Sequence, residues 1–349
     1  MTNSSFSKDS CDSALIQTIP HVPISVRDTA LFDDARTLLM RVFLEWTHDH
    51  IVLNECKEGI TNKLVMCVNK TKGLTVLIRA YGKNTDFIID RNAELLNMIG
   101  LARIGMCPPV YARFNNGLVY GFIPGTVAKP HEMSNDLWAP LIARSLAKWS
   151  QISLPGSHAP QLFPTLRRWL RDIPKSYKDP KANTTFQAYF STDKLASELS
   201  DLESILTKLN SPVVFAHNDL LSGNIVMSES NDKVFFIDYE YGMYNHRAFD
   251  IANHFNEYAG FECDYSRYPT KDAQLKWFKI YLDELGQDSS QDVLETLYNE
   301  VSFFQLASHF YWGIWALIQA SISDIDFDYM EYAKMRFEEY YKNKSRLLN

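Results

Sequence analysis

Apolar residues recur at helical intervals in "DDARTLLMRVFLEW" (33–46), where Leu38, Leu39, Val42, Phe43 and Trp46 follow an acidic first turn, and this predicts an amphipathic helix. From Ile51 the pattern changes to short runs rich in Val, Ile, Leu and Thr, "IVLNECKEGITNKLVMCV" and "GLTVLIRAYG", broken by Gly, Asn and Lys as in a small antiparallel sheet. A helix is expected at about 90–101. Two strands then bracket the turn signal "NNG" (115–117), and the second, "LVYGFIPG", ends in a Pro-Gly pair suited to a hinge. After Gly125 helical patterning dominates, at 137–151, 192–209, 272–285, 292–320 and 329–344, with "VVFAHND" and "KVFFIDYEY" the only clear strands. The run "FFQLASHFYWGIWALIQA" (303–320) approaches the length of a bilayer span. Gln305, Ser308, His309 and Gln319 interrupt it, so it reads as a helix buried inside a large domain and not as a transmembrane segment.

The elements describe an α+β chain of two lobes with a cleft between them: a small β-rich amino-terminal lobe (23–124) and a large, mainly helical carboxy-terminal lobe (125–349). Residues 1–22, rich in Ser, Asn and Asp, read as a flexible tail. At 349 residues and 46% hydrophobic, the chain is long and apolar enough for such a core. A formal charge of −7 without any basic run argues against a nucleic-acid partner and for a small-molecule ligand. The five cysteines form no CxxC pair and are odd in number, which suggests neither zinc nor a disulfide framework. With a polar amino terminus, they make a cytoplasmic protein the expectation.

Behind the apolar "VVFA", the stretch "HNDLLSGN" gathers His217, Asn218, Asp219 and Asn224. Burying such groups unpaired is costly, so they are either hydrogen-bonded scaffolding or a working site. The spacing from His217 through Asp219 to Asn224 matches the protein-kinase catalytic loop, in which the Asp accepts a proton from the attacking hydroxyl and the Asn binds Mg²⁺. Asp238 follows Asn224 by fourteen residues and ends an apolar strand, where those enzymes place a second magnesium ligand. Taken singly, either aspartate would suit an Asx turn. Together and in this order they point to phosphoryl transfer from ATP with Mg²⁺, on a protein-kinase-like fold. His217 reads as structural, bonding the loop backbone.

The first lobe offers "EGITNKL" (58–64), in which Gly59, Thr61, Asn62 and Lys63 could fold over phosphates or form an ordinary hairpin turn. Arg79 ends "VLIR" where a kinase has the lysine of its third strand, and a guanidinium there can clamp phosphate oxygens. Glu94 either orients Arg79 or is a solvated helix-face carboxylate. Trp312 and Trp315, at i and i+3, and Tyr332 form either a core stripe or a box of aromatic faces for an organic ammonium, with Glu257 as countercharge.

Three stretches, "FAHNDLLSGNIV", "FIDYEYGMYNHRAFDIANHFNEYAG" and "ASHFYWGIWALIQA…FDYMEYAKMRFEEYY", together with "GITNKL" and "VLIRAYG", resemble the choline/ethanolamine kinase family from about His21 to Lys344. The resemblance implies transfer of the γ-phosphate of ATP to the hydroxyl of ethanolamine or choline with Mg²⁺, the first step of the CDP-alcohol route to phospholipids. It implies Asp219 as catalytic base, Asn224 and Asp238 as magnesium ligands, and Arg79 on the ATP phosphates. It also implies Glu257, Trp312, Trp315 and Tyr332, with Asp219, as the amino-alcohol pocket. The segment 120–123, with Gly121 and Ile123, matches the hinge that meets adenine. "HFNEYAGFECDYSRYP" looks closer to ethanolamine kinases than to choline kinases. Choline or dual activity, an aminoglycoside phosphotransferase and a non-catalytic kinase-like binding module are the competing readings. The paired tryptophans argue against the second and the complete Asp219, Asn224 and Asp238 set against the third. Folds of this kind can form a homodimer through the first lobe, and no residue here argues for or against one.

Overall fold

The computed structural model describes residues 8–56, 63–82 and 87–348, and the chain divides into two units, Met1–Pro124 and Gly125–Asn349. The first unit contains α1 (Lys8–Gln17), β1 (His21–Val22), α2 (Leu31–Val42), β2 (Ile51–Cys56), β3 (Lys63–Asn69), β4 (Leu74–Ala80), α3 (Arg91–Arg103), β5 (Val110–Phe114) and β6 (Gly117–Gly121). Its six-stranded sheet has the order β1-β5-β6-β4-β3-β2, antiparallel throughout except where β1 joins β5. Alternation places Val65 and Cys67 of β3 opposite Ile78 and Val76 of β4, and all four are fully buried. Ala35, Leu38 and Leu39 of α2 belong to the same core.

The structure adds elements that the side-chain pattern does not show, because main-chain bonding leaves little trace in that pattern. Within the stretch 1–22, read as a flexible tail, α1 is helical and β1 runs parallel to β5, held by Arg113 N–H to the Pro20 carbonyl at 2.9 Å. The α2 helix stops at Val42, short of Trp46, because Phe43 turns to extended backbone (φ −119°, ψ 90°). The indole of Trp46 then returns to stack on Phe43 at 4.4 Å, so the apolar pattern continues after the helix has ended.

The second unit contains β7 (Thr126–Val127), α4 (Trp138–Ser150), α5 (Leu162–Asp172), α6 (Pro180–Tyr189), α7 (Thr192–Leu206), β8 (Val213–Ala216), β9 (Ile225–Met227), β10 (Val234–Phe236), β11 (Met243–His246), α8 (Arg247–Asn256), α9 (Lys271–Glu284), α10 (Gln291–Ile322) and α11 (Tyr329–Leu348). It begins at Gly125, whose φ of +152° and close approach to Met227 exclude a side chain: a Cβ would lie 2.0 Å from the Met227 carbonyl oxygen. Helices α5, α6 and α8 are absent from the pattern reading. Helix α8 is buried from Ala248 to Asn256, with Asp250, Asn253 and His254 set among Phe249, Ile251 and Phe255, so no exposed polar face sets off an apolar stripe.

Helix α10 is buried almost all round from Val301 to Gln319, as the run at 303–320 predicts. Among the described residues no helix is long and apolar enough to cross a membrane. It meets α11 closely at Gly313, where a Cβ would fall 2.6 Å from the Phe337 ring. Gly313→Ala should therefore destabilise the protein, because about 1–3 kcal/mol of overpacking exceeds the ~1 kcal/mol of helix propensity gained. A chemical-denaturation midpoint that rises in this variant would show that Phe337 moves aside without cost.

Candidate active site

Strands β8 and β11 pair antiparallel, with Ala216 opposite Met243, and β8 ends there. The loop that follows is built on Asp250, in the first turn of α8. Its carboxylate accepts the backbone N–H of His217 at 2.9 Å and of Asn218 at 2.7 Å. Asn218 takes the left-handed conformation (φ 66°), and its amide stitches the loop to its surroundings. Nδ2 donates to the carbonyls of Ala216 (3.1 Å) and Tyr241 (2.9 Å), while Oδ1 accepts from Asn245 Nδ2 at 2.8 Å. His217 accepts the Asp219 backbone N–H on Nδ1 at 3.3 Å, so the proton sits on Nε2, which donates to the Ile237 carbonyl at 3.0 Å. Burial lowers this imidazole to about 4, so it is neutral at physiological pH, the scaffold residue that the sequence suggests.

The scaffold carries Asp219 and Asn224 at one edge. Asn224 donates from Nδ2 to the Asp219 carbonyl (2.7 Å) and to Asp219 Oδ2 (3.0 Å), and among the described residues none donates to its Oδ1. The Ile237 N–H bonds the Asn224 carbonyl at 3.0 Å, and through this link the loop after β10 joins the first. Asp238 follows with φ 64°, a left-handed conformation of the kind that folds retain at ligand sites. The Asp219 carboxyl is raised above the usual carboxylate range by burial first and then by the charges of Asp238, Glu257 and Glu240. One protected carboxylate among further carboxylates, beside an amide oxygen, can accept a proton and can offer hard oxygens to a cation.

Glu257 and Tyr332 share the Arg336 guanidinium, Trp312 and Trp315 pack on each other, and Ser308 and Asn253 link the two pairs. Trp312 Nε1 donates to Asn253 Oδ1 at 2.6 Å and Trp315 Nε1 to the Tyr241 hydroxyl at 2.8 Å. The two indoles meet edge to face at 5.4 Å, and Tyr241 lies 5.3 Å from Trp312. Glu257 is held by Arg336 at 2.8 Å, with Tyr332 on the same guanidinium. Sequence reasoning missed Asp250, Asn253, Tyr241 and Arg336. The signal available was polar spacing: Asp250, Asn253, His254 and Glu257 recur at helical intervals within "DIANHFNE".

In the first unit Arg79 and Glu94 are buried and form an ion pair, and Glu94 also accepts from Arg91 Nη1 at 3.0 Å, so Glu94 is not a solvated carboxylate. Lys63 is exposed at the start of β3, opposite Ala80, whereas Gly121 ends β6 opposite Val76, so these two lie near opposite ends of β4. Ile123 is half-buried beyond β6. Gly59, Thr61 and Asn62 lie outside the described residues.

A family model described as choline/ethanolamine kinase matches residues 53–341. A probable ethanolamine kinase A of Dictyostelium discoideum is 41% identical over 307 residues, covering 86% of this chain and 88% of that protein. Ethanolamine kinase 1 of Mus musculus is 39% identical over 340 residues, covering 93% and 94%. The solved structure of an ethanolamine kinase from Plasmodium vivax superimposes with a TM-score of 0.82 at 27% identity, covering 97% of this chain and 95% of its own.

Proposed function

This chain belongs to the choline/ethanolamine kinase family, and from that premise we propose that it phosphorylates the hydroxyl of ethanolamine with ATP and Mg²⁺. The observation that carries the reading is Asp219, a buried carboxylate fixed by Asn224 and set among Asp238, Glu240 and Glu257. In the proposed reaction the hydroxyl proton passes to an Asp219 oxygen as the substrate oxygen bonds to the γ-phosphorus. The bond to the bridging oxygen breaks, and ADP leaves with the electron pair. Arg79, held by Glu94, is the guanidinium assigned to the phosphates.

The donor set suits magnesium: Asn224 has its amide nitrogen turned to Asp219, so that Oδ1 is the end of the amide available as a ligand among the described residues, and Asp238 supplies a carboxylate. When bound, magnesium neutralises charge on the transferring phosphoryl group. Glu257 and the faces of Trp312, Trp315 and Tyr332 form the ammonium pocket, in which a primary ammonium brings three N–H donors to the carboxylates and a quaternary one brings none.

The test is ADP release with Mg²⁺ and ethanolamine, choline and their N-methylated intermediates under one condition. The expected order is highest kcat/KM for ethanolamine, declining with each methyl. Highest kcat/KM for choline would show that the aromatic faces govern selection, and turnover of none would move the protein to the binding modules.

A further inference from the structure

Arg336 stands one turn after Tyr332 on α11 and is 1% exposed. Its Nη1 donates to Glu257 Oε1 at 2.8 Å and to the Tyr332 hydroxyl at 3.2 Å, and its Nη2 donates to the Ser308 carbonyl (3.2 Å) and hydroxyl (3.1 Å). Ser308 Oγ in turn donates to Asn253 Oδ1 at 2.9 Å, the same oxygen that takes Trp312 Nε1. Asn253 Nδ2 bonds the Asn218 carbonyl at 3.1 Å, next to Asp219. A single guanidinium therefore ties the carboxylate and tyrosine of the pocket to its tryptophan wall and, through one amide, to the loop that carries Asp219.

Stability does not account for this arrangement. A buried ion pair roughly breaks even against apolar residues of the same volume, and here Arg336 Nε finds no acceptor among the described residues. What the pair does achieve is orientation. Glu257 receives Arg336 on Oε1 only, and no described residue donates to Oε2. A carboxylate clamped by one oxygen has the other free for an incoming donor.

We propose that Arg336 is a positioning residue for substrate selection: by occupying Glu257 Oε1 and the Tyr332 hydroxyl it fixes Glu257 Oε2 as an acceptor that an ethanolamine N–H can use and a choline ammonium cannot. The inference rests on the ethanolamine reading above. It separates two contributions within the pocket. Aromatic faces and net charge act on both ammonium types, whereas the directed acceptor acts only on the type that carries N–H groups.

Steady-state kinetics with ethanolamine and choline on the unaltered protein, Arg336→Met and Arg336→Lys test it. In Arg336→Met the KM for ethanolamine should rise ~10-fold or more, as expected for a lost hydrogen bond to a charged group, with the KM for choline changing less than ~3-fold. The selectivity ratio then falls, and Arg336→Lys, which returns a cation beside Glu257, should recover part of it. An equal loss for both substrates overturns the inference, because a merely structural arginine would harm both alike. Should Arg336→Met fail to fold, Arg336→Lys decides: lysine cannot hold Glu257, Tyr332 and Ser308 together, so a ratio within about twofold of the unaltered protein overturns the inference. Absence of turnover by the unaltered protein with either amino alcohol removes the functional reading as well, and is seen before any variant is compared.

Discussion

Asp219→Asn leaves a folded protein that still binds nucleotide and turns over about 10²–10⁴-fold more slowly, the range associated with loss of a positioned general base. The substitution is nearly isosteric, and the asparagine oxygen can still accept from Asn224 Nδ2, so the loop geometry has little reason to change. What disappears is the proposed proton acceptor for the substrate hydroxyl. In the unaltered protein, burial and the surrounding carboxylates raise the Asp219 pKa, so kcat/KM should fall on acidification with an inflection above the usual carboxylate range. The direction follows from the role: the base works only when deprotonated, and raising its pKa moves that limit to higher pH. The checks are single-turnover rates beside nucleotide affinity for the variant, and a pH profile for the parent. Turnover within about threefold of the parent would remove Asp219 as the base, since even a weak general-base contribution exceeds that.

Asp250→Ala should be the most damaging substitution to the fold. It orphans two buried backbone N–H groups, of His217 and Asn218, at about 1–3 kcal/mol each, or about 2–6 kcal/mol together. The loss should appear in the urea midpoint together with loss of turnover, because these two bonds anchor the start of the loop that carries Asp219. A pH signature distinguishes this role from simple cavity formation. Burial raises the Asp250 carboxyl from 3.8 to about 6, against the lowering by its two backbone bonds. A group with a folded pKa above its unfolded value contributes stability that is full below the unfolded pKa and is lost as pH rises through 6. His217 and His254, both lowered by burial to about 4, act in the opposite sense and destabilise the fold as pH falls below 6.5. Asp250 therefore partly offsets the histidines under mild acid. Moving from pH 7 to pH 5 should cost Asp250→Ala about 1 kcal/mol more than the parent, and equal losses would exclude a titrating Asp250.

The chemistry-bearing residues were legible because phosphoryl transfer constrains residue type and spacing over short stretches. His217, Asp219 and Asn224 fall within eight residues, and Asp238 ends the next hairpin. Strands with one buried face announce themselves by alternation, as Val65, Cys67, Val76 and Ile78 do, and α10 by its long apolar run. Less legible were elements defined by main-chain bonding, such as β1, and helices such as α8 that are buried along their length with polar residues among the apolar ones.

By itself, then, the sequence determined most of the strands, the longer helices and the identity of the groups that could move a proton or hold a cation, since these depend on local spacing and composition. Tertiary structure alone decided how those groups are charged and held. The elevated Asp219 carboxyl needs burial beside carboxylates from distant segments. Asp250 reaches back 32 and 33 residues to hold the loop. Glu257 meets Arg336 across 79 residues, and Trp312 meets Asn253 across 59. Desolvation and hydrogen-bond geometry are properties of a three-dimensional neighbourhood, and no local pattern in the chain encodes which distant side chain will supply it.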